Sequence, residues 1–146
     1  MEQFSLPGAI ANIKGGGNAP NLFGEVRFYQ KQDCVQIVAN ISGLPQTDSG
    51  FFGFHIHEGK SCSGNDFSET ANHYNPSSCA HPMHAGDLPP LMRCHGGAYQ
   101  SVTSDRFRVS DVIGKTVVIH SDPDDFHSQP SGNAGTKIAC GVILQT

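Results

Sequence analysis

The stretch Phe51-Phe52-Gly53-Phe54-His55-Ile56-His57 combines aromatic and β-branched residues, which favour an extended strand. Side chains of a strand point alternately to its two faces, so His55 and His57 share one face while Ile56 points to the other. Two imidazoles at this spacing on a rigid strand form half of a planar nitrogen site. The stretch therefore predicts a strand that carries metal ligands.

Outward from this strand, segments rich in Val, Ile and Phe recur between clusters of Gly and Pro at 9–14, 22–29, 35–41, 116–120 and 137–144. Residues 103–113 offer the one helical interpretation, which Val, Ser and Thr weaken. Short strands separated by turn residues are typical of an antiparallel sandwich or barrel. No repeat or linker divides the sequence, so we expect a single domain over residues 1–146.

Charge and hydropathy argue against two classes of partner. The formal net charge is −4 and the chain has nine Lys and Arg residues, too few for the clustered cations that hold a nucleic acid. No apolar run approaches the roughly 18 to 20 residues that span a membrane. Residues 1–7 do not resemble an export signal, so we expect a soluble, cytoplasmic protein. The alternative is an exported protein whose leader is missing from this sequence.

Two long polar segments, 58–91 and 121–136, interrupt the strand pattern. Segments of this length in a compact domain are usually functional or disordered. The first contains four candidate ligands, His73, His81, His84 and Asp87. Three nitrogens and one oxygen suit tetrahedral zinc.

A sixth histidine, His120, ends the predicted strand 116–120. It joins His55 and His57 if the two strands face one cavity, and such an all-nitrogen site favours copper. A lone loop histidine is usually a solvated side chain, and we assign His95 and His127 to that class. The other six histidines lie in the two polar segments or on strand ends beside them, which indicates metal binding.

Five motifs occur in order along the chain: Gly53-Phe54-His55-Ile56-His57-Glu58, His73-Tyr74-Asn75-Pro76, His84-Ala85-Gly86-Asp87-Leu88, Gly114-Lys115-Thr116-Val117-Val118-Ile119-His120, and Gly132-Asn133-Ala134-Gly135 running into Ala139-Cys140-Gly141-Val142-Ile143. Over nearly the whole chain they resemble the copper/zinc superoxide dismutase family. The resemblance implies an all-β, eight-stranded Greek-key antiparallel barrel or sandwich of immunoglobulin-like type, with two long functional loops. It also implies disproportionation of superoxide to oxygen and hydrogen peroxide, with copper for the chemistry and zinc for structure.

The resemblance assigns the individual residues as well. Copper would be bound by His55, His57, His73 and His120, and zinc by His73, His81, His84 and Asp87. Asp124 would orient His55 and His81 by hydrogen bonds, the alternative being an ordinary exposed turn acid. Cys62 and Cys140 would form the disulfide that fastens the first loop to the last strand.

The chain departs from the family at the arginine that precedes the last strand, where this sequence has Lys137. Lys137 would guide the superoxide anion with the same charge but without the planar fork of Arg, so we expect activity to be retained but reduced. Only four residues, 58–61, separate His57 from Cys62, which resembles the bacterial branch of the family. This puts the animal-type dimer contact in doubt, although a homodimer is still expected from the family.

Three cysteines lie outside the family pattern. Cys79 and Cys94 could form a second bridge over the zinc site or stay free thiols, and zinc ligation by Cys79 is a third alternative. Cys34 begins a strand and is expected to be a partly buried free thiol rather than part of an intermolecular disulfide. Because five is an odd number, at least one thiol is unpaired or shared with another chain.

Two functions of other classes compete with an enzyme. A metal-storage or metal-delivery domain of the same fold would bind copper or zinc without turnover, and loss of a copper ligand would favour it, but none is lost. An immunoglobulin-like adhesion module shares the sandwich architecture. That alternative gives no reason for the ordered metal ligands.

Overall fold

A computed structural model describes residues 5–146. These residues form eight strands, β1 Ala9–Gly15, β2 Phe23–Gln30, β3 Val35–Ser42, β4 Phe51–His57, β5 Asp87–Met92, β6 Ala98–Ser104, β7 Thr116–His120 and β8 Lys137–Gln145. Helical structure in this part of the chain is confined to a short 3-10 segment, Asn65–Thr70, and a four-residue helix α1, Val109–Val112. The all-β prediction is confirmed.

The eight strands form one antiparallel sheet in the order β5-β4-β7-β8-β1-β2-β3-β6. Neighbours that are not consecutive in the chain, such as β4 with β7 and β3 with β6, mark crossovers of the Greek-key type. The terminal strands β5 and β6 come together, and the Gln100 side-chain amide donates to the Pro89 carbonyl at 3.2 Å. The sheet therefore closes almost completely into a barrel.

Alternation of side chains builds the barrel core. In β1, Ala9, Ala11 and Ile13 are buried while the residues between them are more exposed. β4 and β7 differ, because every residue of β7 and all but the first of β4 are buried. One face of these two strands packs on the core, and the other is covered by the loops 58–86 and 121–136.

Two strands were absent from the sequence-based expectations. β5 carries Pro89 and Pro90, which are tolerated because β5 lies at the end of the sheet order, and Leu88 and Leu91 point into the core. The first loop consequently ends at residue 86 rather than near 91. β6 occupies part of the segment considered for a helix, whose helical part is reduced to α1.

Among residues 5–146, no helix has the length and apolar character that crossing a membrane requires. The expectation about an export signal rests partly on residues 1–4, which lie outside the described part of the chain.

Candidate metal centre

The two long loops meet over the outer face of β4 and β7. The bridge between His57 and His73, together with the hydrogen bond from the Tyr74 amide to the Ile56 carbonyl at 2.8 Å, fastens the first loop to β4. The second loop is held by the Gly53 amide, which donates to the Asp122 carbonyl at 2.9 Å. A Cβ at Gly53 would lie 2.7 Å from the Cβ of Ala134, so a glycine is needed for this close approach.

The first donor group consists of buried histidines from β4, β7 and the first loop. His55, His57, His73 and His120 each offer one nitrogen, and these atoms all lie within 4.8 Å of one another. Each has an exposed fraction of 5% or less. The structure thus brings together all four side chains predicted to bind copper.

Hydrogen bonds decide which nitrogen of two of these rings is free. His55 donates from Nε2 to Asp124 Oδ2 at 2.8 Å, because a carboxylate can only accept, and this leaves a buried Nδ1 that has no partner. His57 donates from Nδ1 to the Ala71 carbonyl at 3.0 Å, which leaves Nε2 unprotonated. That Nε2 lies 3.2 Å from Nε2 of His120. The free nitrogens of His55 and His57 lie within 4.8 Å of donor nitrogens of His73 and His120, so the group can hold a cation, and an all-nitrogen set suits copper.

The second donor group lies beside the first. It consists of His73, His81, His84 and Asp87, whose ligand atoms also lie within 4.8 Å of one another. His81 Nδ1 has no hydrogen-bond partner although it lies 3.1 Å from Asp87 Oδ2, and His84 Nδ1 lies 3.3 Å from His73 Nδ1. Three imidazole nitrogens and one carboxylate fit zinc.

Asp124 connects the two donor groups by hydrogen bonds to one histidine of each. Its Oδ2 accepts from His55 Nε2 and its Oδ1 accepts from His81 Nε2, both at 2.8 Å. Burial alone would raise the pKa of this carboxyl, but these two hydrogen bonds and a third from the Phe126 amide outweigh it, so the pKa of Asp124 is lowered. The ionised carboxylate fixes the tautomer and ring orientation of both histidines, and the exposed-acid alternative is wrong.

The same burial controls the protonation of the histidines. It lowers the pKa of His55 to about 4 and that of His120 to about 3, and it holds the pKa of His57 well below its usual range. Burial alone would raise the pKa of the Asp87 carboxyl. The hydrogen bond from His73 and the charges of the neighbouring imidazoles outweigh this effect, so the pKa of Asp87 is lowered. At neutral pH, His55, His57 and His120 are therefore ready to bind a cation with little competition from protons.

The variant Asp124→Asn is expected to lower zinc affinity about 10- to 100-fold. The Nε2–H groups of His55 and His81 face different oxygens of Asp124, and in asparagine one of those oxygens becomes an NH₂ group, which cannot accept. Zinc binding to copper-free protein, measured by competition with a chelator, provides the test. Asp122→Asn, an exposed acid of the same loop, is the matched control. Unchanged affinity in Asp124→Asn would contradict the orienting role.

Two residues that the sequence did not single out brace the zinc group. The Gln129 side chain exchanges hydrogen bonds with the backbone of His81, accepting from its amide at 2.8 Å and donating to its carbonyl at 2.7 Å. Arg106 donates to the carbonyls of Pro82 at 2.8 Å and His84 at 3.0 Å. Both are polar residues in polar segments, so the sequence held no signal for these long-range contacts.

Lys137 lies at the start of β8 and lines a cavity of about 500 Å³ with His57, His73 and His120. Among the described residues that line this cavity, Lys137 is the one Lys or Arg. Burial lowers the pKa of its ammonium. A larger cavity of about 790 Å³ lies elsewhere and is lined by Asp87 and Asp124 but by none of the copper-group histidines. The smaller cavity is therefore the approach to the first donor group.

The cysteines separate into one pair and three free thiols among residues 5–146. Cys62 and Cys140 form a disulfide, which fastens the first loop to β8 as predicted. Cys79 and Cys94 are both exposed and free, so the suggested second bridge is absent, and Cys79 belongs to neither donor group. Cys34 is a partly buried free thiol, as expected.

The two histidines left out of the predicted ligand sets, His95 and His127, are exposed and lie outside both donor groups.

Sequence comparison places the chain beside known proteins. A family profile described as copper/zinc superoxide dismutase matches residues 22–143. The chain is 34% identical over 137 residues to Cu-Zn superoxide dismutase 2 of Aquifex aeolicus, a match that covers 84% of this chain and 79% of the relative. It is 33% identical over 141 residues to the Cu-Zn superoxide dismutase of Legionella pneumophila, covering 91% and 85%. For Cu-Zn superoxide dismutase 3 of Arabidopsis thaliana the identity is 32% over 158 residues, covering 92% and 88%.

Proposed function

The chain belongs to the copper/zinc superoxide dismutase family, and from this premise and the geometry of the site we propose how its residues divide the reaction. Two superoxide anions and two protons become one oxygen and one hydrogen peroxide. We assign His55, His57, His73 and His120 to copper, and His73, His81, His84 and Asp87 to zinc.

The position of His73 between the two donor groups carries this assignment. Its Nδ1 lies 2.8 Å from Asp87 Oδ1 and 3.3 Å from His84 Nδ1, within the zinc group. Its Nε2 is buried without a partner, on the side of the copper group. A histidine with both nitrogens directed at ligand sets suits a two-metal site, because it would offer one nitrogen to each cation.

When bound, copper supplies the alternating one-electron oxidation and reduction of superoxide, and zinc holds the ligands in place. The protein contributes fixed tautomers, since Asp124 holds the proton of His55 and His81 on Nε2 and the Ala71 carbonyl holds that of His57 on Nδ1. Lys137 contributes a positive charge beside the approach to the copper group. This charge attracts the substrate anion into the cavity.

Metal analysis paired with a superoxide dismutation assay, before and after copper loading, tests the function. We expect one copper and one zinc per chain, with turnover that slows as salt is raised. Stoichiometric copper and zinc without turnover would instead support metal storage or delivery.

The variant Lys137→Met is expected to lower kcat/KM about tenfold and to flatten its dependence on ionic strength, because it removes the charge that steers the anion. Stopped-flow measurement of superoxide decay at several salt concentrations provides the test, with rates normalised to bound copper. Lys31→Met is the matched control, since Lys31 is exposed between β2 and β3 and does not line the cavity. Equal loss in the two variants would mean that net charge matters and Lys137 does not.

We also propose that the protein is a homodimer, as carried over from the family. Phe51 and Met92 are cross-strand partners on β4 and β5, and 39% and 61% of their surfaces are exposed. This apolar pair supports a contact on the barrel face, and sedimentation equilibrium of the native chain and of Phe51→Asp tests it. A monomeric native chain would contradict the proposal.

A further inference from the structure

The ammonium of Lys137 is held by two groups that no sequence pattern indicated. Its Nζ donates to Thr70 Oγ1 at 2.7 Å and to the Ala71 carbonyl at 3.0 Å. Thr70 is fully buried, and its hydroxyl donates in turn to the Phe67 carbonyl at 2.8 Å. The donation to Phe67 directs a lone pair of the hydroxyl towards Lys137, so the hydroxyl is oriented as an acceptor.

The backbone around Thr70 adopts a costly conformation to present these acceptors. Asp66, Phe67 and Ala71 all have positive φ, and Ala71, at φ 60° and ψ −137°, lies outside even the left-handed helical region. Hydrogen bonds from the amide of Gly59 to the Thr70 carbonyl at 2.8 Å, and from that of Glu58 to the Asn72 carbonyl at 2.9 Å, hold the segment in place. Strain maintained in this way often accompanies a functional constraint.

The Ala71 carbonyl also connects Lys137 to the copper group. It accepts from His57 Nδ1 at 3.0 Å as well as from Lys137 Nζ, also at 3.0 Å. One oxygen therefore sets the position of the ammonium relative to a histidine of the first donor group. An ammonium has three donors, and with two directed at Thr70 and Ala71 the third is left for an incoming anion.

We propose that Thr70 is a positioning residue: with the Ala71 carbonyl, its hydroxyl fixes the Lys137 ammonium beside the copper group. Lysine needs such a device more than arginine does, because its point charge sits on a flexible four-carbon stem and lacks a rigid fork. The Thr70 hydroxyl and the Ala71 carbonyl fix the direction of the ammonium N–H groups, whereas the N–H directions of a guanidinium are fixed by its planar shape. The inference rests on the proposed guidance role of Lys137.

Thr70→Val tests the proposal, since it removes the hydroxyl and retains the branched shape. We expect kcat/KM per bound copper to fall about three- to tenfold, because the ammonium loses its fixed position. Thr70→Ser should restore most of the activity. Thr116→Val is the matched control, because Thr116 is also fully buried and donates to the Gly59 carbonyl of the same loop at 3.1 Å, but forms no hydrogen bond with Lys137.

A second readout is independent of turnover. In zinc-loaded, copper-free protein with ¹⁵N-labelled lysine, an ammonium held by hydrogen bonds gives an observable nitrogen–proton NMR signal, which Lys137→Met assigns by its loss. We expect this signal to persist in Thr70→Ser and Thr116→Val and to vanish in Thr70→Val. If Thr70→Val does not fold, Thr70→Ala takes its place. A signal that persists in the variant without the hydroxyl would overturn the proposal.

Combining substitutions separates this proposal from the guidance role itself. If Thr70 acts through Lys137, Thr70→Val causes no further loss of kcat/KM in a Lys137→Met background. Additive losses would overturn the positioning role while leaving guidance by Lys137 intact. If Lys137→Met alone leaves the rate unchanged, the guidance role fails, and the positioning role falls with it.

Discussion

His120→Ala is expected to abolish superoxide dismutation while the protein still binds one zinc ion per chain. The substitution removes one of four nitrogens from the first donor group, and none from the second, which consists of His73, His81, His84 and Asp87. The lost Nε2 lies 3.2 Å from that of His57, so the substitution removes one of two adjacent nitrogens of the copper group. Metal analysis and a dismutation assay on the same preparation measure both effects.

The control for this variant is His127→Ala. The side chain of His127 is 80% exposed and lies outside both donor groups, so activity and both metals should be unchanged. Full activity in His120→Ala would remove the basis for the copper assignment. Loss of zinc together with copper would show instead that the two groups do not form independently.

Replacing both Cys62 and Cys140 by alanine is expected to lower the free energy of unfolding of the metal-free protein by up to about 4 to 5 kcal/mol. The disulfide joins residues 78 positions apart, and opening it releases a long loop in the unfolded chain. The first loop also loses its covalent attachment to β8, the strand that carries Lys137. Urea unfolding with a fitted midpoint and slope provides the measurement.

A count-matched control is the double variant Cys79→Ala and Cys94→Ala. Both side chains are exposed and free, so their replacement should change the free energy of unfolding by no more than about 0.5 kcal/mol. A large loss in the control would mean that these two thiols pair in solution. A negligible loss on removing Cys62 and Cys140 would contradict the stabilising role of the disulfide.

Most of the barrel could be predicted because strand signals are local. β4 and β7 begin and end where the sequence predicts, since each is a run of apolar residues that ends at a histidine. β5 was not predicted, because Pro89 and Pro90 argue against a strand unless its place at the end of the sheet is known. β6 was not predicted, because its Ser and Thr residues give only a weak alternation of apolar and polar side chains. The position of a strand in the sheet depends on the tertiary structure, so it cannot be deduced from a short stretch of sequence.

The site divides in the same way. The donors could be predicted because histidines at strand ends and in long polar loops are rare enough to be informative, and Asp124 because the family motif includes it. The contact of Thr70 with Lys137 could not, since the two residues are 67 positions apart and a threonine in a polar loop is unremarkable. Such a contact depends on backbone dihedrals of residues 66–71 that sequence propensity disfavours.

The Asp124 carboxylate, which accepts hydrogen bonds from both His55 and His81, links the affinity for copper to the affinity for zinc. Zinc that orders His81 also orders Asp124, and Asp124 holds the ring of His55 at the other site. Whatever factor zinc adds to the affinity for copper, copper must add to the affinity for zinc. A chelator that strips one ion therefore weakens the hold on the other, and the order in which a cell delivers the two ions leaves the final equilibrium unchanged.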